Sequence, residues 1–74
     1  MGEAIHVVKN PGGGWFVRVE GKADASSNHA TQQQAILAGR RLARAKQSRL
    51  LIHARSGEIR DRFSYGTSPR RYTS

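Results

Sequence analysis

Thr31-Gln32-Gln33-Gln34-Ala35-Ile36-Leu37-Ala38-Gly39-Arg40-Arg41-Leu42-Ala43-Arg44-Ala45-Lys46-Gln47 is the one stretch of this chain that reads as a helix, so only one helix is available to cover a sheet. Thr31 stands three residues before Gln34, the capping-box spacing in which the hydroxyl takes an orphan backbone N–H and the amide reaches back. Ala35, Ile36, Gly39, Leu42, Ala43 and Lys46 fall on one stripe, and the small residues in it let a helix lie close on its support. Arg40, Arg44 and Gln47 occupy the opposite side, with Arg41 on the flank.

Upstream of the helix, Ile5-His6-Val7-Val8-Lys9 is short and β-branched and reads as a strand. Asn10-Pro11-Gly12-Gly13-Gly14 breaks it, and Trp15-Phe16-Val17-Arg18-Val19-Glu20-Gly21 returns. Alternation puts Trp15, Val17 and Val19 on a core face and Phe16, Arg18 and Glu20 on the other. Lys22 to Ala30, with Asp24, Ser26, Ser27 and Asn28, reads as a loop that His29 closes over the core. Downstream, Leu50-Leu51-Ile52-His53-Ala54-Arg55 reads as a third strand and Ser56-Gly57 as a two-residue turn. Glu58-Ile59-Arg60-Asp61-Arg62-Phe63 is then the fourth strand. Leu50, Ile52, Ala54, Ile59 and Phe63 are expected to face the helix.

The fold expected is therefore α+β, of ββαββ order, with a small, mainly antiparallel sheet and one helix packed on a single face. One compact domain spans residues 1–66, and residues 67–74 form a flexible basic C-terminal tail. An antiparallel sheet commonly leaves its second face to solvent. Here that face is expected to carry Phe16, Arg18, His53, Arg55, Arg60 and Arg62.

Charge decides which partners such a face attracts. Thirteen Lys+Arg oppose five Asp+Glu, a formal net charge of +8, and ten of the thirteen are arginine. A field of that sign attracts polyanions, whether nucleic acid, an anionic membrane or an acidic protein; arginine favours planar, bidentate anions, and the partners expected are nucleic acid or an acidic protein, with no membrane. Seventy-four residues hold one domain with a thin core. The chain has no cysteine, which excludes disulfides and thiolate metal sites and agrees with a reducing, cytoplasmic setting. No apolar run is long enough for a secretory signal or a membrane span. Small domains without such staples often complete their core by self-association, which leaves a homodimer and a monomer both open.

Several short motifs together resemble a family of short bacterial and phage domains of unknown function. They are His6-Val7-Val8, Asn10-Pro11 with a glycine run ending in Trp15, Glu20-Gly21, Thr31-Gln32, Ala35-Ile36, Ile52-His53-x-Arg55-x-Gly57-x-Ile59, and Ser64-Tyr65-Gly66. The resemblance runs from about His6 to Gly66 and implies a compact hairpin–helix–hairpin domain with no assigned catalytic residues. The chain departs from the family's pattern at Gln34, where an acid is common, and at His29, where an aromatic is common.

Each candidate site has a plainer rival. The Pro11–Gly14 run lacks the Gly-Lys-Ser/Thr ending of a P-loop and opens no helix, so a hairpin turn explains it better than a phosphate cradle. His6 and His53 become neighbours if their strands pair, yet a metal would need a third ligand and no His-x-His or His-x₃-His spacing is present, so no metal or other cofactor is expected. Glu3, Glu20, Asp24, Glu58 and Asp61 are scattered, and Ser26, Ser27 and Ser56 carry no nucleophile-elbow motif, which argues against an enzyme. The reading that remains is a non-enzymatic nucleic-acid-binding accessory or regulatory module. Arg18, Arg55, Arg60 and Arg62 are its principal anion contacts, Phe16 is a candidate base stacker, and Arg40, Arg44, Arg70 and Arg71 are secondary. The alternative is a phage-like adaptor or inhibitor that docks an acidic protein, or its own copy, on the same face.

Overall fold

A computed structural model describes residues 3–22 and 25–65. The element order is β1 (Ile5–Lys9), β2 (Trp15–Val19), β3 (Ala25–His29), α1 (Gln32–Lys46), β4 (Arg49–His53) and β5 (Ile59–Ser64). These build one five-stranded mixed sheet, in the order β3-β2-β1-β4-β5, with α1 against one face. The α+β class holds, but the expected ββαββ order and the hairpin–helix–hairpin plan lack a strand. The segment expected to be a loop contains β3, Ala-Ser-Ser-Asn-His, which pairs antiparallel with β2. Its residues have little strand preference; pairing with a well-formed neighbour decides the outcome. A polar edge strand also suits the border of a sheet, where apolar strands invite aggregation.

That extra strand changes the sheet's sense. The chain reverses direction once more before the helix, so α1 returns it to run parallel to β1. Ile5, His6 and Val7 accordingly pair in parallel with Leu50, Leu51 and Ile52, while the other three pairings are antiparallel. Parallel neighbours need a crossover of this kind.

The helix starts as the sequence reads. Thr31 is extended, and its hydroxyl accepts from the Gln34 N–H at 3.1 Å. At the other end Gln47 adopts the left-handed conformation, and the Gln47 and Ser48 amides take the Arg44 and Ala43 carbonyls, closing the helix in a Schellman-type cap. Ala35, Gly39 and Ala43 are buried, with Ile36, Ala38 and Leu42 packed beside them. Lys46, expected on the same stripe, is exposed. Beneath the helix lie Ile5, Val7, Trp15, Val17, Val19, Leu50 and Ile52. Gly39 sets the helix–sheet distance: a Cβ built there would stand 3.0 Å from Leu50 Cδ1 and 3.1 Å from Val7 Cγ2. Among the described residues, no helix is long and apolar enough to cross a membrane.

Both tight hairpins close in the same way. In the first, Gly13 N–H donates to Asn10 O and Asn10 N–H to Gly14 O; in the second, Gly57 N–H donates to Ala54 O and Ala54 N–H to Glu58 O. Each is a three-residue loop whose last residue is a glycine at positive φ, 121° at Gly13 and 104° at Gly57. The β4–β5 connection is therefore not the two-residue Ser56-Gly57 turn. Arg55 belongs to the loop, and Ala54 lies beyond the end of β4 rather than on its helix-facing side.

A register shift then redirects β5. Ile52 pairs with Asp61, but His53 pairs with Ile59, leaving Arg60 as an extra residue. One extra residue turns the side chains beyond it to the opposite face. Ile59, expected in the core, is 44% exposed and shares the face of His53. Phe63 keeps the helix side opposite Leu50, yet α1 packs on β1 to β4 and leaves β5 uncovered, so Phe63 is 42% exposed.

Two outcomes check this packing. Gly39→Leu should cost roughly 1–3 kcal/mol through overpacking against Leu50 and Val7, read as a lower midpoint in urea unfolding. Trp15→Ala should cost about 3–5 kcal/mol, and Phe16→Ala, on the half-buried opposite face, clearly less; a reversed ranking would mean that β2 is out of register by one residue.

Candidate polyanion-binding face

The face away from α1 is built by the residues that alternate with the core. From β1 it takes His6 and Val8, from β2 Phe16 and Arg18, from β4 Arg49, Leu51 and His53, and from β5 Ile59, Arg62 and Ser64. Leu51 is buried on this face, against the longer side chains around it. The strand pairings align Arg18, His6, Leu51 and Arg62 in one row across four strands. Arg18 and Arg62 thus stand three strand spacings apart, about 14 Å. Arg18 also donates to the Lys22 carbonyl at 3.3 Å, which holds its guanidinium toward the β2 end of the row.

Only part of the expected arginine cluster assembles. Arg18 and Arg62 share the open face. Arg55 sits in the β4–β5 loop. Arg60, the bulged residue, reaches Gln32 Oε1 at the start of α1 at 3.3 Å, and its Nε lies 3.9 Å from Asp61. Arg40 and Arg44 belong to α1, in the layer on the other side of the sheet. The Arg40 Nε is buried without a hydrogen-bond partner, and the Arg44 guanidinium lies 5.5 Å from the centre of the Tyr65 ring. Arg70, Arg71 and the rest of the tail lie outside the described residues, as does Asp24. Phe16 is half-buried on the open face between Val8 and Asn28.

Two cations were missed by reading the sequence. Arg49 alternates with Leu51 and His53, so strand parity alone could have placed it on this face once β4 was started one residue earlier. Lys22 follows the turn after β2 and borders a shallow depression of about 280 Å³ with His6, Arg18, Glu20 and His53. Lys9 is lost to the face: its ammonium lies 6.0 Å from the Trp15 ring centre and donates to the Asn10 carbonyl.

At the centre of the face the two histidines meet. His6 Nδ1 and His53 Nε2 are 2.9 Å apart, His6 Nε2 is 3.1 Å from Glu20 Oε1, and His53 Nδ1 is 3.0 Å from the Gly57 carbonyl. All four ring nitrogens are therefore engaged within the chain. His29 belongs to β3 rather than to a loop, and its Nε2 is 2.8 Å from the Ser27 hydroxyl. Among the described residues, no group of three His, Cys, Asp or Glu could hold a metal ion. The glycine loop uses its amides internally: Gly12 N–H donates to Asn10 Oδ1 and Gly13 N–H to Asn10 O, which leaves those two unavailable to a phosphate.

No curated protein and no solved structure matches the chain. One family model does, over residues 5–65, a span that runs from the first residue of β1 to Tyr65 just beyond β5. The chain belongs to the bacterial family DUF2188, described as an uncharacterized protein conserved in bacteria.

Proposed function

We propose that this chain is a non-enzymatic, cytoplasmic module that binds nucleic acid through the helix-free face of its sheet. The observation that carries this reading is the cross-strand row of Arg18, His6, Leu51 and Arg62, with cations at both ends, on a chain of formal net charge +8. A separation of about 14 Å between the terminal arginines is comparable with the about 12 Å width of the major groove. Arginines rooted that far apart on the sheet suit phosphates on opposite sides of such a groove. Arg49 and Lys22 add charge to the same side, and Phe16 offers a single stacking surface. The engagement of every nitrogen of the His6–His53 pair supports binding over general acid–base chemistry, since neither ring presents a spare nitrogen to a substrate.

A second reading draws on β5. Ile59 and Phe63 are both exposed on this edge strand, beside Arg62, and apolar surface next to a cation suits an acidic protein or a second copy of the chain.

Salt titration separates the two. Nucleic-acid affinity should fall with a log–log slope of about −0.9 per phosphate neutralised on duplex DNA, and the double change Arg18→Ala with Arg62→Ala should make the slope shallower by about two. Arg55→Ala with Arg60→Ala, off the face, should change it far less. A folded protein that shows no salt-sensitive binding to DNA or RNA at micromolar concentration would end the nucleic-acid reading and leave the adaptor one.

A further inference from the structure

The Glu20–His6–His53–Gly57 chain permits a count of protons. The Gly57 carbonyl only accepts, so His53 Nδ1 carries a hydrogen. The Glu20 carboxylate also only accepts, so His6 Nε2 carries another. His6 Nδ1 and His53 Nε2, at 2.9 Å, then face one another. With both rings neutral and their hydrogens outside, two lone pairs would be pressed together. A third hydrogen between them turns that repulsion into a hydrogen bond. Two neutral imidazoles carry two ring hydrogens, and the three contacts need three.

We propose that His6 and His53 together bind one proton, held between His6 Nδ1 and His53 Nε2 and oriented by Glu20 and the Gly57 carbonyl. The extra proton belongs on the imidazole pair rather than on Glu20, because imidazole is the stronger base. The pair then carries one positive charge against the negative charge of Glu20. Among the described residues, Glu20 is the one carboxylate in hydrogen-bonding contact with either ring. Of the other charged groups, Arg18 from β2 and Lys22 after it line the same depression as the pair, while Arg62 lies in the same cross-strand row, Arg49 on β4, and Arg55 and Glu58 in the β4–β5 connection.

A metal ion between the same nitrogens fits less well. Zinc–nitrogen bonds of about 2.0–2.1 Å in a tetrahedral site hold their nitrogens about 3.3 Å apart, whereas 2.9 Å is a hydrogen-bond distance. The proton also has a structural consequence. It links the turn after β2, β1, β4 and the β4–β5 loop in one chain across the open face, and its departure removes the donor from the middle link.

Imidazole ¹⁵N spectra of the intact protein, followed across pH, test it directly. Coupled rings should titrate in two separate steps. In the state between them, His53 Nδ1 and His6 Nε2 should both be protonated, with a third slowly exchanging ring N–H signal from the bridge. His53→Gln should collapse His6 to a single step and lose the bridging signal, and His6→Gln should do the same to His53. His29→Gln, outside the chain, should leave both steps in place. The proposal is overturned if His6 and His53 in the wild-type protein each titrate in one step as independent sites, or if the intermediate state lacks a hydrogen on either outer nitrogen. Because the wild-type spectra alone decide this, a variant that failed to fold would not protect the idea.

Discussion

The close approach of α1 to the two central strands is the contact on which the rest of the structure depends. Ala35, Gly39 and Ala43 form a nearly flat seam, and a Cβ added at Gly39 would press on the side chains of Val7 and Leu50 more tightly than an ordinary van der Waals contact. Val7 lies on β1 and Leu50 on β4, so the same seam holds together the parallel pair at the middle of the sheet. In a chain this small, a single layer of apolar side chains must supply the hydrophobic stabilisation, and close packing is what makes a thin layer sufficient. The helix is also too narrow to cover five strands. Its reach ends before β5, which leaves the last strand exposed along its whole length.

From that limit follows the two-sided character of the sheet. One side is apolar and sealed by α1; the other is open and collects whatever side chains alternate with the core. Its composition is sensitive to register, because a shift of one residue exchanges the two faces. The bulge at Arg60 is such a shift. It sends Arg60 to Gln32 at the start of the helix, brings Ile59 to the open face, and keeps Arg62 in line with Arg18. A face that would have gathered four arginines holds Arg18 and Arg62 instead, and gains Arg49.

The middle of that face is polar but not unpaired. Glu20, His6, His53 and the Gly57 carbonyl satisfy one another across two strands and the loops after β2 and β4, and a half-exposed position in the sheet tolerates the chain because each contact has a donor and an acceptor. Its geometry rests on the parallel β1–β4 pairing, which in turn rests on β3. A strand at one border of the sheet thus sets the alignment of two histidines at its centre.

The sequence by itself determined the elements whose signals are local. The Thr31 cap, the small-residue stripe of α1, the positions of the two glycine-bearing hairpins, though not the loop length of the second, and the inward set Trp15, Val17, Val19, Leu50 and Ile52 all follow from periodicity and turn chemistry. The adjacency of His6 and His53 was legible only as a condition, that their strands should pair. Tertiary structure decided the rest. Ala25–His29 has no apolar alternation, so its strand exists only because β2 offers it a ladder. The parallel sense of β1 and β4 depends on that hidden reversal, and the exposure of Ile59 and Phe63 depends on a bulge and on the helix's reach. Propensity acts within a few residues, whereas register, strand sense and coverage are properties of segments that meet only after the chain has folded.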